Sequence, residues 1–263
     1  MRRALVLAVL STAPITAAPS AGIAAPPAGG GREDAEIVEI KTSDDQTLEA
    51  SYFKPEKPQS PAIVLVHDAG ADRNQLLAIA ERLHKQKFGV LAIDLRGHGG
   101  SKSAKFDWSQ MSAEEQKTSW SFGVRDIDAA ADWLLEQPNI QKTKLVLVGY
   151  GSGCALIARH AKNDEKVACL VLFQPKPEDY GFDVKADIQT LEGLPTCVVA
   201  MKNDEAERMV LEANLAAGDN PPIQLLASTP KNASLLLDDK KIQANVASWI
   251  GDVTAPKKGG RTK

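Results

Sequence analysis

The sequence predicts an α/β protein: a doubly wound, mostly parallel sheet of about eight strands with helices on both faces and no large lid. Three observations carry this reading. Short runs such as Pro61–His67 are continuously apolar rather than alternating, the mark of strands buried on both faces. Such runs alternate with segments whose apolar residues recur at helical spacing. The run that begins at Lys144 ends in Gly149-Tyr150-Gly151-Ser152-Gly153 and passes straight into a helix, a strand, tight turn and helix in direct succession.

The elements follow in order. Glu36–Lys41 alternates polar and apolar residues, and after the turn-forming Ser43-Asp44-Asp45 a second strand, Thr47–Phe53, closes a hairpin expected at one edge of the sheet. Pro61–His67 is a buried strand, and Asn74–Gln86 a helix with Leu76, Leu77, Ala80 and Leu83 on one side. Val90–Asp94 is the next strand. Ser112-Ala113-Glu114-Glu115 is a capping-box start, and the helix after Gly123 carries Val124, Ile127, Ala131, Leu134 and Leu135. The Lys144 strand is expected at the centre of the sheet, with its helix ending near His160. Val167–Phe173 and Thr196–Met201 are strands, Glu205–Ala217 a helix, Ile223–Leu226 a strand and Asp239–Ile250 the last helix.

The 263 residues, 43% hydrophobic and 25% charged, suffice for one sizeable core, and one domain is expected over residues 35–252. Residues 1–24 read as a signal peptide: Arg2 and Arg3 precede the apolar Ala4–Leu10, and Gly22-Ile23-Ala24 ends in small residues. Ser11, Thr12 and Pro14 leave that run short of the roughly 20 residues a span needs. An exported protein, periplasmic or secreted and without a membrane span after signal removal, is the expectation. Residues 25–34, with Pro26, Pro27 and Gly29–Gly31, read as a flexible linker, and residues 253–263 as a basic disordered tail. Net charge is −3, and about −5 once Arg2 and Arg3 are removed, so no nucleic-acid partner is expected. An odd number of cysteines, Cys154, Cys169 and Cys197, excludes a fully paired disulfide framework and fits small buried hydrophobes. With no C-x-x-C and no histidine pair at ligand spacing, neither a metal nor a cofactor is expected.

His67-Asp68-Ala69-Gly70 is similar to the H-G-x-G oxyanion loop of the α/β-hydrolases, and Asp94–Ser101 to their D-x-R-G-H-G-x-S segment. Gly149–Gly153 resembles their nucleophile elbow, G-x-S-x-G. The resemblance covers Glu36 to Ile250. It is strongest to the compact dienelactone-hydrolase and serine-aminopeptidase type, because Ser101–Phe122 is too short for a lid domain. It implies a nucleophile, an acid after the strand two places beyond the elbow strand, and a histidine near the last strand. With Gly149 and Gly153 aligned, the nucleophile position falls on Gly151, the acid on Asp204 and the histidine on Asn232; no histidine follows His160. A serine without an adjacent base is a weak nucleophile, and an amide cannot replace imidazole as that base.

The resulting expectation is a pseudo-hydrolase with no intact triad, whose pocket above Gly151 is walled by His67, Asp68, Ala69, Tyr150 and Ser152 and holds a small ligand or a protein partner. The alternative is an active esterase or peptidase-like enzyme in which Ser152 works with His67; a third reading is a purely structural relic of the fold. Asp204 is expected to cap a loop or lie at the surface, His67 and His98 to organise their loops, and His84 and His160 to be solvated.

Overall fold

The computed structural model describes residues 35–191, 193–217, 223–230, 232–233 and 235–256. The expected signal peptide and linker, and the tail from residue 257, lie outside the described residues. The strands are β1 (Glu36–Lys41), β2 (Thr47–Phe53), β3 (Ser60–Val66), β4 (Gly89–Ile93), β5 (Ile140–Tyr150), β6 (Val167–Phe173), the two-residue β7 (Glu178–Asp179) and β8 (Phe182–Asp183), β9 (Thr196–Met201) and β10 (Ile223–Ser228). The helices are α1 (Leu77–Lys85), α2 (Ala113–Ser121), α3 (Gly123–Leu135), α4 (Gly153–Ala161), α5 (Val184–Gln189), α6 (Glu205–Ala217), α7 (Leu235–Asp238) and α8 (Lys240–Thr254). Eight strands form one sheet in the order β1-β2-β4-β3-β5-β6-β9-β10, while β7 and β8 pair separately. Within the large sheet β1 and β2 are antiparallel to their neighbours and the other pairings are parallel, while β7 and β8 are antiparallel. The first hairpin therefore sits at one edge and the elbow strand, β5, in the interior of the sheet.

Because side chains alternate across a strand, the continuous apolar runs serve two cores. On one face Ala62, Val64 and Val66 of β3 and Leu145 and Leu147 of β5 pack with α3, α4 and α6. On the other, Ile63, Leu65, Val146 and Val148 pack with α1, α7 and α8. Each large aliphatic side chain so buried contributes roughly 1.5–3 kcal/mol, so the central strands carry much of the fold's cohesion. α2 begins with the expected capping box, Ser112 and Glu115 each bonding the other's backbone N–H. α8 continues through Val253 and Thr254, two residues sequence reading assigns to the tail.

The Asp94–Ser101 segment is a scaffold. Asp94 pairs with Arg73 and accepts the backbone N–H of Arg73 and of Gly100 (both 2.7 Å). Ser101 Oγ donates to the Asp94 carbonyl (2.6 Å) and accepts the Glu49 N–H (2.8 Å). Arg96 is held by Asp126 (2.6 Å) and Asp44 (2.7 Å). Burial pushes the Asp126 carboxyl up to about 6 although the Arg96 guanidinium pulls the other way. Removing either partner of such a buried pair strands a charge, so this segment fixes the β4–α2 connection against the sheet.

Candidate active site

The tight turn after β5 centres on Gly151, whose φ of +54° lies in the left-handed region, while Ser152 is already helical at φ −64° and ψ −27°. Close packing requires its flanking glycines. A Cβ on Gly149 would stand 2.9 Å from the Cys154 amide nitrogen, and one on Gly153 2.6 Å from the carbonyl oxygens of Val66 and His67. This is the elbow's geometry, with the position that would present a nucleophile occupied by a residue without a side chain.

The vacated space is filled. A Cβ on Gly151 would lie 2.5 Å from Cγ and 2.8 Å from Oδ2 of Asp68. Asp68 Oδ1 accepts the backbone N–H of Ser152 (2.8 Å) and of Ala69 (2.9 Å). Those two amides, one following the nucleophile position and one from the loop after β3, are placed as an oxyanion hole, within the 2.7–3.1 Å such donors need. The carboxylate of Asp68 thus fills the space above Gly151 and takes both amides. Asp68 stands where the H-G-x-G pattern has glycine, and that departure was the available signal.

The hydrogen bonds of His67 leave it no basic nitrogen to offer. The Leu95 N–H donates to Nε2 (3.0 Å), so the proton is on Nδ1, which donates to the Asp68 carbonyl (2.7 Å). Complete burial pushes its pKa down to about 4. His98 repeats the pattern: Gly70 N–H donates to its Nε2 (3.1 Å), Nδ1 donates to the Arg96 carbonyl (3.0 Å), and burial followed by the neighbouring His67 lowers its pKa to about 4. Both rings brace loops as neutral imidazoles.

Ser152, 1% exposed, donates its hydroxyl proton to Asp179. The structure brings Ser152 together with Asp68 and Asp179 and shows no Ser152–His67 hydrogen bond. Asp179 arrives on the β7–β8 hairpin, turned by Tyr180 and Gly181 at positive φ. The same hairpin lays Tyr180 against Trp108 and Trp120 (5.5 Å to each ring centroid), and Trp108 also packs on His98 (4.7 Å). Neither Asp179 nor this aromatic cover is recognisable in the sequence, where no element is expected between Phe173 and Thr196. Of the five predicted wall residues, His67, Tyr150 and Ser152 are buried, and only Asp68 and Ala69 keep partial exposure. Burial, then the nearby Asp68, pushes the Tyr150 hydroxyl up to about 12.

Asp204 and Asn232, the other two positions that the resemblance aligns with a triad, have structural partners. Asp204 Oδ1 accepts the Glu207 N–H (2.9 Å) at the start of α6, and its other oxygen accepts from the Gln174 side-chain amide. Asn232 is exposed, and its side-chain oxygen accepts the Leu235 N–H (3.3 Å) at the start of α7. The expectation of solvated rings fails at His160, which is 4% exposed between Asp128 (2.7 Å) and Asp164 (3.3 Å). His84 is half-buried against Phe53, the apolar side of α1 having drawn it in. Among the described residues no group of three or more His, Cys, Asp or Glu side chains could hold a metal ion.

Comparison with known proteins agrees with this fold. Protein bem46 of Schizosaccharomyces pombe is 28% identical over 142 residues, 52% of this chain and 43% of that protein, so the chain spans under half the length of the curated relative it matches. An esterase of Pyrococcus furiosus superposes with a TM-score of 0.66 at 15% identity, covering 84% of this chain and 91% of its own. The α/β hydrolase GrgF of Penicillium sp. sh18 does so with 0.65 at 15%, covering 83% and 98%. At such identities the likeness is one of fold. The model of the Dienelactone hydrolase family matches residues 48–214, from the second strand of the first hairpin into α6 and across the whole elbow. A match over more than half the sequence, on a sheet with this strand order, establishes the lineage: the chain belongs to the dienelactone hydrolase family.

Proposed function

We propose that this protein is an exported pseudo-hydrolase, a family member that hydrolyses neither esters nor peptides and keeps its elbow region for a small ligand or a protein partner. The observation that carries the reading is the Asp68 carboxylate on the amides of Ser152 and Ala69, above a Gly151 that has no hydroxyl. A hydrolase needs that hole empty for its transition state and a nucleophile beneath it. Two further facts favour it over an enzyme built on Ser152 and His67: the Ser152 hydroxyl is committed to Asp179, and both His67 nitrogens are committed to backbone groups. A fluorophosphonate probe should leave the folded protein unlabelled, and short-chain esters should turn over no faster than with the denatured chain. Stoichiometric labelling of Ser152 would overturn the proposal.

A further inference from the structure

The bonds that hold Asp68 describe a ligand as much as a side chain. Oδ1 takes two amide protons, from Ser152 and Ala69, and the carboxylate as a whole, Oδ1 nearest, lies over Gly151 in room that exists because position 151 has no Cβ. The backbone of Asp68 is tied on both sides: its N–H donates to Gln75 Oε1 (2.9 Å) and its carbonyl accepts from His67 Nδ1 (2.7 Å). Rotation about the Cα–Cβ bond is therefore the freedom that remains, and Asp68 is itself partly exposed to solvent. Asp68 leaving would uncover two convergent N–H donors, one at the start of α4 and one in the loop after β3, beside the space above Gly151. A planar anion satisfies that arrangement, whereas a neutral amide of the same shape lacks the charge that the donors and the helix terminus favour.

We propose that the former oxyanion hole is a carboxylate-binding site whose resident ligand is the Asp68 side chain, and that a small free monocarboxylate takes the same two amides when Asp68 swings out. This deepens the non-hydrolytic reading and rests on it, because it needs position 151 to stay without a hydroxyl. The test is chemical rescue. The Asp68→Ala protein should melt several degrees below wild type, and acetate should raise its melting temperature saturably. Sodium chloride at equal ionic strength and acetamide should not, and wild type, in which acetate must first displace Asp68, should need far more acetate for the same shift. Rescue by acetate no better than by chloride would overturn the proposal. Should Asp68→Ala fail to fold, Asp68→Asn keeps one acceptor oxygen without the charge. Its Ser152 and Ala69 amide-proton resonances should then move upfield of wild type, and unmoved resonances would be equally fatal. Ester turnover by the wild-type chain would defeat both readings; absent rescue without turnover defeats this one alone.

Discussion

At the scale of single residues, Gly151 and Asp68 are coupled by contact, the Asp68 carboxylate lying where a side chain at position 151 would begin. Gly151→Ser would place a Cβ at φ +54°, a strain on the order of 1–3 kcal/mol, and drive it into the Asp68 carboxylate. The variant should show a lowered melting temperature, and adding Asp68→Gly should recover part of the loss, a coupling that a double-mutant cycle reads directly. Gly151→Ser with Asn232→His should remain without ester turnover while Asp68 fills the hole. The triple variant with Asp68→Gly should gain measurable hydrolysis, since these groups act as a unit. Turnover by the double variant would mean that the carboxylate does not block the hole. Gly151 was legible because spaced glycines after an apolar strand imply a tight turn. The role of Asp68 was not, because its contact with Ser152 joins residues 84 positions apart.

At the scale of elements, what the sequence shows well is what has a period. The boundaries of β1, β2, β6 and β9 coincide with the runs that predict them. β5 begins four residues before Lys144, because Ile140 and Gln141 pair with Ser60 and Pro61 across a register shift that polar Lys142 and Thr143 conceal. The β7–β8 hairpin, two residues a side between prolines and a turn, has no period to detect, and it is this hairpin that covers the elbow. Asp204 belongs to this scale as the cap of α6. Asp204→Ala should lower stability by about 1 kcal/mol, whereas Asp204→Ser, which keeps a capping oxygen, should lose much less. Equal losses in denaturant unfolding of the two variants would assign Asp204 a different role.

At the scale of the molecule, the site's histidines tie folding to pH. His67 and His98 are held near 4 against a usual 6.5, so below about pH 6.5 the unfolded chain takes up protons more readily than the folded one. The stability they contribute is fully present above pH 6.5 and lost as pH falls through 4, roughly 3 kcal/mol per ring at most. Asp126, pushed up to about 6, and Asp94, which burial also raises, work in the opposite sense and offset part of this loss. Melting temperature should therefore fall between pH 7 and pH 4, and a His98→Gln variant, less stable at pH 7, should lose less over that interval. Parallel profiles for the two proteins would contradict this account. The three cysteines have a consequence of another kind. All are fully buried, and burial pushes the thiols of Cys169 and Cys197 up to about 12 and that of Cys154 well above its usual range. The finished protein thus offers no thiolate to an oxidant. The nascent chain exposes three, and a parallel sheet with many distant pairings closes slowly. Wherever the surroundings oxidise thiols, redox conditions act on the yield of folding, as a race between sheet closure and mispairing, and not on the lifetime of the folded molecule.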